Sequence, residues 1–82
     1  MSVEYYRKQI IDLRVRLTKE KESKKKDNAY YAALIKGTSS ASSKTAYRKS
    51  KIDKAASHDR AIDNLKKQIE NAKANLAKAR KK

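Results

Sequence analysis

The chain has 82 residues, with 23 Lys and Arg against nine Asp and Glu, and a formal net charge of +14 at pH 7. It contains no Cys, Pro, Phe or Trp and one Gly, which excludes disulfides, thiolate metal sites and Gly-rich phosphate-binding loops but leaves long helices with few breakers. We expect neither a transmembrane helix nor a classical secretory signal, because no apolar stretch of about 18 residues is present and the N-terminal residues are charged.

The first predicted helix covers about residues 3–36. Ser2 is a suitable N-cap, and Glu4 suits the positive end of the helix dipole. Large apolar residues then recur at a spacing of three and four, which predicts an amphipathic helix, and we expect Ile11 and Val15 to widen the apolar stripe. The residues of this stripe are Tyr6, Ile10, Leu13 and Leu17.

The same heptad continues into a charged stretch before it becomes apolar again. Its positions at Glu20, Lys24 and Asp27 are charged, and Tyr31 and Leu34 restore the apolar stripe. This pattern predicts a polar section in the middle of the helix, which either contacts solvent or faces other charges across an interface.

A Ser-rich loop is predicted at residues 37–43, followed by a second helix over about residues 44–80. Gly37 is a suitable C′ residue because glycine readily adopts positive φ, and Ser42 or Ser43 is a suitable N-cap for the second helix. The a/d stripe of this helix lacks a partner within the helix itself, so it must pack on another helix. The stripe consists of Ala55, Ile62, Leu65, Ile69, Ala72, Leu76 and Ala79.

Two long helices joined by a short loop predict an all-α fold, an antiparallel two-helix hairpin that resembles a coiled coil. With the loop centred near Ser40, residues whose numbers sum to about 80 should face each other. Glu20 is then placed opposite His58, and Lys24 opposite Lys54. Since each helix would bury one face only, we expect a homodimer or a helical partner to complete the structure.

Few residues are candidates for catalysis or metal binding. His58 is the only His, and Asp53, Asp59 and Asp63 lie near it in the sequence. A His with carboxylates can bind a metal or transfer protons. We favour a structural interpretation, in which His58 occupies a d position and the aspartates contact solvent or lysines. We therefore expect no enzyme activity, no cofactor and no metal site.

The basic second helix supports an alternative function, nucleic-acid binding, because 13 Lys and Arg against four acids follow Ser43. Interleaved tyrosines could stack on bases, although a tyrosine doublet more commonly places one ring in a helix seam and the other at its edge. The candidate phosphate contacts are Arg48, Lys51, Lys54, Lys66, Lys67, Lys73, Arg80, Lys81 and Lys82.

The first residues, Met1-Ser-Val-Glu-Tyr-Tyr-Arg-Lys-Gln-Ile, place a Tyr-Tyr doublet before an Ile/Leu heptad. This arrangement resembles the small helical proteins that accompany LXG-domain toxins of type VII secretion systems, which are similar to WXG-type helical hairpins. The chain departs from the pattern in having Gly37-Thr-Ser in place of Trp-x-Gly and no Tyr-x-x-x-Asp/Glu export signal.

The resemblance implies a non-catalytic adaptor with a chaperone-like role, which binds the helical N-terminal domain of an LXG-type toxin, together with a second small helical protein, and aids its export. We expect a cytoplasmic protein that could leave the cell only in complex with its partner. The predicted partner-binding residues are Tyr6, Ile10, Leu13, Leu17, Tyr31, Leu34, Ile62, Leu65, Ile69 and Leu76.

Overall fold

A computed structural model describes residues 2–81, which form two long helices and a short connection. Helix α1 spans Val3–Gly37 and helix α2 spans Ala41–Arg80. The two helices pack along each other as a hairpin whose extents are 64 × 14 × 11 Å. The predicted all-α helical hairpin is therefore confirmed.

Side-chain caps fix where each helix begins. The Ser2 hydroxyl accepts a hydrogen bond from the backbone N–H of Tyr5 at 3.3 Å, as predicted, and satisfies one of the free donors of the first turn. Helix α2 begins at Ala41, three residues earlier than predicted. Its cap is Ser40, not Ser42 or Ser43, because the Ser40 hydroxyl accepts from the N–H of Ser43 at 3.3 Å.

The loop is shorter than the predicted segment 37–43 because Gly37 remains helical. The expectation of positive φ at Gly37 is wrong: within residues 2–81 no residue has positive φ. Thr38 ends α1 instead, in an extended conformation with φ −105° and ψ 141°. Its hydroxyl accepts from the N–H of Ser40 at 3.2 Å, so a threonine side chain stabilises the turn without a left-handed residue.

The seam, defined as the residues of each helix that face the other helix, contains a small apolar core. Five side chains among residues 2–81 are buried: Ile10, Leu13, Ile62, Ile69 and Ala72. Four of them form one cluster, and Leu17, Leu65 and Leu76 pack against it. The predicted register, which placed Ile69 against Ile10 and Leu65 near Leu13, agrees with this cluster.

The apolar stripe of α1 is narrower than predicted. Ile11 and Val15 were expected to widen it, but their side chains are 61% and 48% exposed. A helix with one neighbour covers only the residues that point directly at that neighbour, and a wider stripe needs a third helix.

The hairpin is far from globular. Its radius of gyration is 18.5 Å, whereas a compact domain of this length would have about 12 Å. Much of the surface of both helices therefore remains available to other molecules.

Candidate interaction surface

The middle of the seam holds a cluster of charged side chains, here called the polar section: Glu20, Lys24 and Asp27 of α1 with His58 and Asp59 of α2. His58 Nδ1 lies 2.5 Å from Glu20 Oε1, and His58 Nε2 lies 2.6 Å from Asp27 Oδ2. Glu20 and Asp27 are two helical turns apart, about 10.5 Å along the axis, and they approach the imidazole from opposite sides. The predicted pairing of Glu20 with His58 is confirmed.

Both nitrogens of His58 face carboxylate oxygens, which accept hydrogen bonds but cannot donate them when ionised. Only the doubly protonated imidazolium donates to both. The hydrogen bond to Asp27, and next the one to Glu20, raises the pKa of His58 above its usual 6.5, while partial desolvation opposes the rise. The two carboxylates thus favour the protonated imidazolium of His58, whose side chain is 16% exposed.

Lys24 completes the polar section with a pair that differs from the predicted one. Its Nζ lies 2.5 Å from Asp59 Oδ1, so the expectation that Lys24 faces Lys54 is wrong. The long lysine side chain extends to the carboxylate that follows His58, and Lys54 remains exposed. Charges of opposite sign therefore meet across the seam, and the polar section binds the two helices together.

The ring nitrogens of His58 and the acidic side chains were the candidates for catalysis or metal binding. Both ring nitrogens of His58 contact carboxylates of α1, which leaves neither nitrogen directed at a substrate. Among residues 2–81, no group of three His, Asp or Glu side chains is arranged to hold a metal ion. His58 lies in the seam, as predicted.

The ten predicted partner-binding residues all lie along the seam. Ile10, Leu13, Ile62 and Ile69 are buried between the two helices of the chain itself. The other six retain partly exposed edges that a further helix could contact. They are Tyr6, Leu17, Tyr31, Leu34, Leu65 and Leu76.

The candidate phosphate contacts are spread over about 50 Å of α2 and around its circumference. Lys51 is half-buried and Lys73 lies 3.7 Å from Glu70, whereas the remaining described ones are exposed. Lys66 and Lys67 are consecutive and so point about 100° apart. Lys82 lies outside the described residues. The hairpin does not gather these cations on a single face.

Both tyrosine doublets have one ring at the seam and one outside it, as predicted. Tyr6 and Tyr31 are half-buried, whereas Tyr5 and Tyr30 are exposed. Within each doublet the two rings meet edge to face with their centroids 5.2 Å apart. Tyr5 and Tyr30 each precede a seam residue by one position, so they lie on the same face of the hairpin, here called the tyrosine face.

A second exposed apolar surface was not predicted. Ile11, Ile35 and Ile52 each follow a seam residue by one position. Because the two helices are antiparallel, the residue that follows a seam position lies on the same side of the hairpin in both helices. We call this surface the isoleucine face; it lies opposite the tyrosine face. The signal was present in the sequence, since an apolar residue directly after an a/d position marks a second contact stripe beside the first.

A comparison of the chain with protein-family models, with curated proteins and with solved structures finds no match. Over residues 2–81, neither helix contains a segment apolar enough to cross a bilayer.

Proposed function

We propose that the protein is a non-catalytic helical adaptor that binds the helical domain of a larger protein. The observation that carries this proposal is the shape of the hairpin combined with its thin core: two helices of 35 and 40 residues bury only five side chains among the described residues. A seam of this kind is completed most effectively by further helices, as in a helical bundle.

The exposed area supports the same function. The accessible surface is 6338 Å², whereas a compact monomer of 9.4 kDa would expose about 5,000 Å². The difference is larger than the roughly 800 Å² that each partner contributes to a protein–protein interface of standard size. A partner helix could therefore lie along the hairpin without any rearrangement of the two helices.

The charge of the chain favours a different protein over a second copy. Two copies at +14 each would repel at every approach, whereas an acidic partner would be attracted and oriented. A homodimer remains the alternative assembly, and it requires that apolar contact outweigh this repulsion.

The resemblance of the N-terminal residues to the partners of LXG-type toxins specifies the proposal further. The partner would be the helical N-terminal domain of such a toxin, with a second small helical protein in the same complex. In this proposal the hairpin is made in the cytoplasm, covers the helical domain of the toxin and leaves the cell only as part of that complex.

Affinity purification from the native host tests the adaptor function. The tagged chain is recovered after nuclease treatment in about 0.5 M salt, where charge interactions are screened beyond about 4–5 Å, and bound proteins are identified by mass spectrometry. We expect one stoichiometric protein with a long helical domain. The control bait is Leu13→Asp, which cannot form the apolar core and should lose this protein. Recovery of no stoichiometric protein would contradict the adaptor function.

Nucleic-acid binding is the second candidate, and the observation that favours it is the concentration of nine of the 14 net positive charges after Ser43. The dispersal of these charges over several faces of α2 counts against a defined groove. If phosphates are the target, replacing Lys66, Lys67 and Lys73 by Gln should flatten the salt dependence of binding to duplex DNA. An unaltered slope would exclude these residues as phosphate contacts.

A further inference from the structure

The isoleucine face contains a shallow groove between the two helices near each end of the hairpin, and a third groove on α1 alone that is lined by Ile11, Val15 and Glu22 among others. Near the termini, Ile11 lies beside Ile10 of α1 and Leu76 of α2. Near the loop, Ile35 of α1 lies beside Ile52 and Ala55 of α2. Ile11 and Ile52 are 61% and 68% exposed, which makes them the most exposed large aliphatic side chains among residues 2–81.

The charged residues that line both grooves are all basic. Arg7, Arg14 and Lys73 border the groove near the termini. Arg48 and Lys51 border the groove near the loop, where the only other polar neighbour is Asn28. No Asp or Glu of the described chain lines either of these two grooves, although Glu70 lies 3.7 Å from Lys73 and Glu22 lines the neighbouring groove on α1. The groove on the tyrosine face includes Asp12.

We propose that the isoleucine face binds an acidic amphipathic α-helix of a partner protein, with apolar side chains of that helix in the two grooves and its Asp and Glu residues against the arginines and lysines beside them. This inference rests on the proposed adaptor function and names its contact face and the chemistry of its partner.

The spacing of the grooves defines the length of the partner helix. Ile11 and Ile35 are 24 positions apart on one helix, about 36 Å along its axis. A partner helix of about 24 residues or more, lying along the hairpin, would reach both grooves. Near each end of the partner helix, apolar side chains would need to recur every three or four residues on one face, as they do in amphipathic helices that bind grooves.

Between the grooves the same face carries charges of both signs. The charged residues that follow seam positions there are Lys21 and Lys25 on α1, and Asp59, Asp63, Lys66 and Glu70 on α2. The partner helix is therefore expected to be polar in its middle, with its acidic residues on the α1 side. Apolar contact is confined to the grooves.

Other occupants fit the grooves less well. A second copy of the chain would bring Arg14 or Arg48 against its own basic residues, with no acidic side chain in either groove to offset them. Duplex DNA would satisfy the arginines but would leave Ile11 and Ile52 without apolar contacts. An acidic amphipathic helix satisfies both the apolar and the basic residues.

The test uses the full chain and a synthetic peptide of about 30 residues, with Leu at heptad a/d positions flanked by Glu. Binding is measured by titration calorimetry at about 0.15 M salt. We expect saturable one-to-one binding that weakens about tenfold or more in the double variant Ile11→Gln, Ile52→Gln. The matched control is Tyr5→Gln, Tyr30→Gln on the opposite face, which should bind within about twofold of the unaltered chain.

Three results would overturn the proposal. The first is equal weakening by the two double variants, provided that circular dichroism shows the same helix content for both. The second is equal binding of a peptide in which every Glu is replaced by Lys. The third is that binding of duplex DNA, or of phosphatidylglycerol vesicles, is weakened by the substitution of Ile11 and Ile52 more strongly than binding of the acidic peptide is.

The same variants separate this inference from the adaptor function. If the unaltered chain recovers a stoichiometric helical protein from the host and Ile11→Gln, Ile52→Gln recovers it equally well, the adaptor function stands and the isoleucine face is the wrong face. If the unaltered chain recovers no protein, the adaptor function fails, and the peptide titration still decides whether this face binds an acidic helix.

Discussion

Toward the chain termini the two helices meet through Ile10, Leu13 and Ile69, whereas at mid-length they meet through Glu20, Asp27 and His58. The terminal section stabilises the hairpin by removing apolar surface from water, an effect that depends little on pH or on the relative position of the helices. The polar section stabilises it by charge-assisted hydrogen bonds, which need one protonation state and one geometry.

The contrast indicates that the two sections have different roles in specifying the fold. A stripe of Leu and Ile can shift along a similar stripe by one heptad at modest cost. His58 cannot shift in this way, because its two nitrogens meet carboxylates that lie two turns apart on α1. We infer that the apolar section supplies most of the stability and the polar section fixes the register. Substitutions in each section test this division.

The largest expected effect is in the apolar section. Leu13 is 4% exposed, so Leu13→Ala should leave a cavity in the cluster and lower the free energy of unfolding by about 2–4 kcal/mol. A hairpin with so small a core should then lose most of its cooperative unfolding transition. Urea denaturation followed by far-ultraviolet circular dichroism measures this loss. Val15→Ala is the control, since Val15 is exposed and its truncation should change stability by less than about 0.5 kcal/mol.

A smaller effect is expected in the polar section. His58→Ala should lower the free energy of unfolding at pH 6 by about 1–2 kcal/mol, because it removes two charge-assisted hydrogen bonds and leaves Glu20 and Asp27 without their shared cation. This value already allows for the solvent that screens the partly exposed carboxylates. In the background Glu20→Gln, Asp27→Asn the same substitution should cost clearly less. Equal cost in both backgrounds would show that His58 contributes only packing.

The stability of the hairpin should depend on pH through His58 in the polar section. The pKa of His58 is raised above 6.5 in the folded chain, so its contribution is fully present below pH 6.5 and is lost as the pH rises through the folded-state value. Urea midpoints measured from pH 6 to pH 9 should therefore fall for the unaltered chain. For His58→Gln the urea midpoints should remain nearly constant over the same pH range. A parallel fall of the midpoints in both chains would contradict the assignment of the pH dependence to His58.

The smallest expected effect concerns the exposed ion pair of the polar section. Lys24 and Asp59 side chains are 33% and 55% exposed, so Lys24→Gln should cost between about 0 and 1 kcal/mol, and less at high salt. Lys54→Gln provides the comparison, because Lys54 lies outside the seam and should have no effect beyond the general reduction of positive charge.

Heptad spacing and register were the parts of the fold that the sequence could predict. The a/d positions identified the seam, and the pairing of residues whose numbers sum to about 80 placed Glu20 against His58. The partner of Lys24 was missed because this rule treats side chains as points, while a lysine extends past the residue opposite it to the next carboxylate. The contact of Asp27 with His58 was missed because the rule assigns one partner to each residue, whereas the two nitrogens of an imidazole can contact two carboxylates.

The isoleucine face was harder to predict, because an apolar residue beside a heptad position is compatible with two different structures. Ile11 and Val15 could widen the seam or form a separate surface, and the number of neighbouring helices decides between them. One chain with two helices provides a single neighbour for α1, so both residues are exposed. The start of α2 was also missed, since Ser40, Ser42 and Ser43 are equally good caps by residue type.

The most direct test of this account is an NMR titration of the full chain, in which the single histidine gives an unambiguous imidazole signal. The carboxylates that raise the pKa of His58 belong to the other helix, so this value reports whether the hairpin closes in solution in the described register. For a closed hairpin we expect a pKa of His58 above 6.5 that falls toward 6.5 in the variant Glu20→Gln, Asp27→Asn. A pKa at or below 6.5 in the unaltered chain, unchanged by that double substitution, would contradict it.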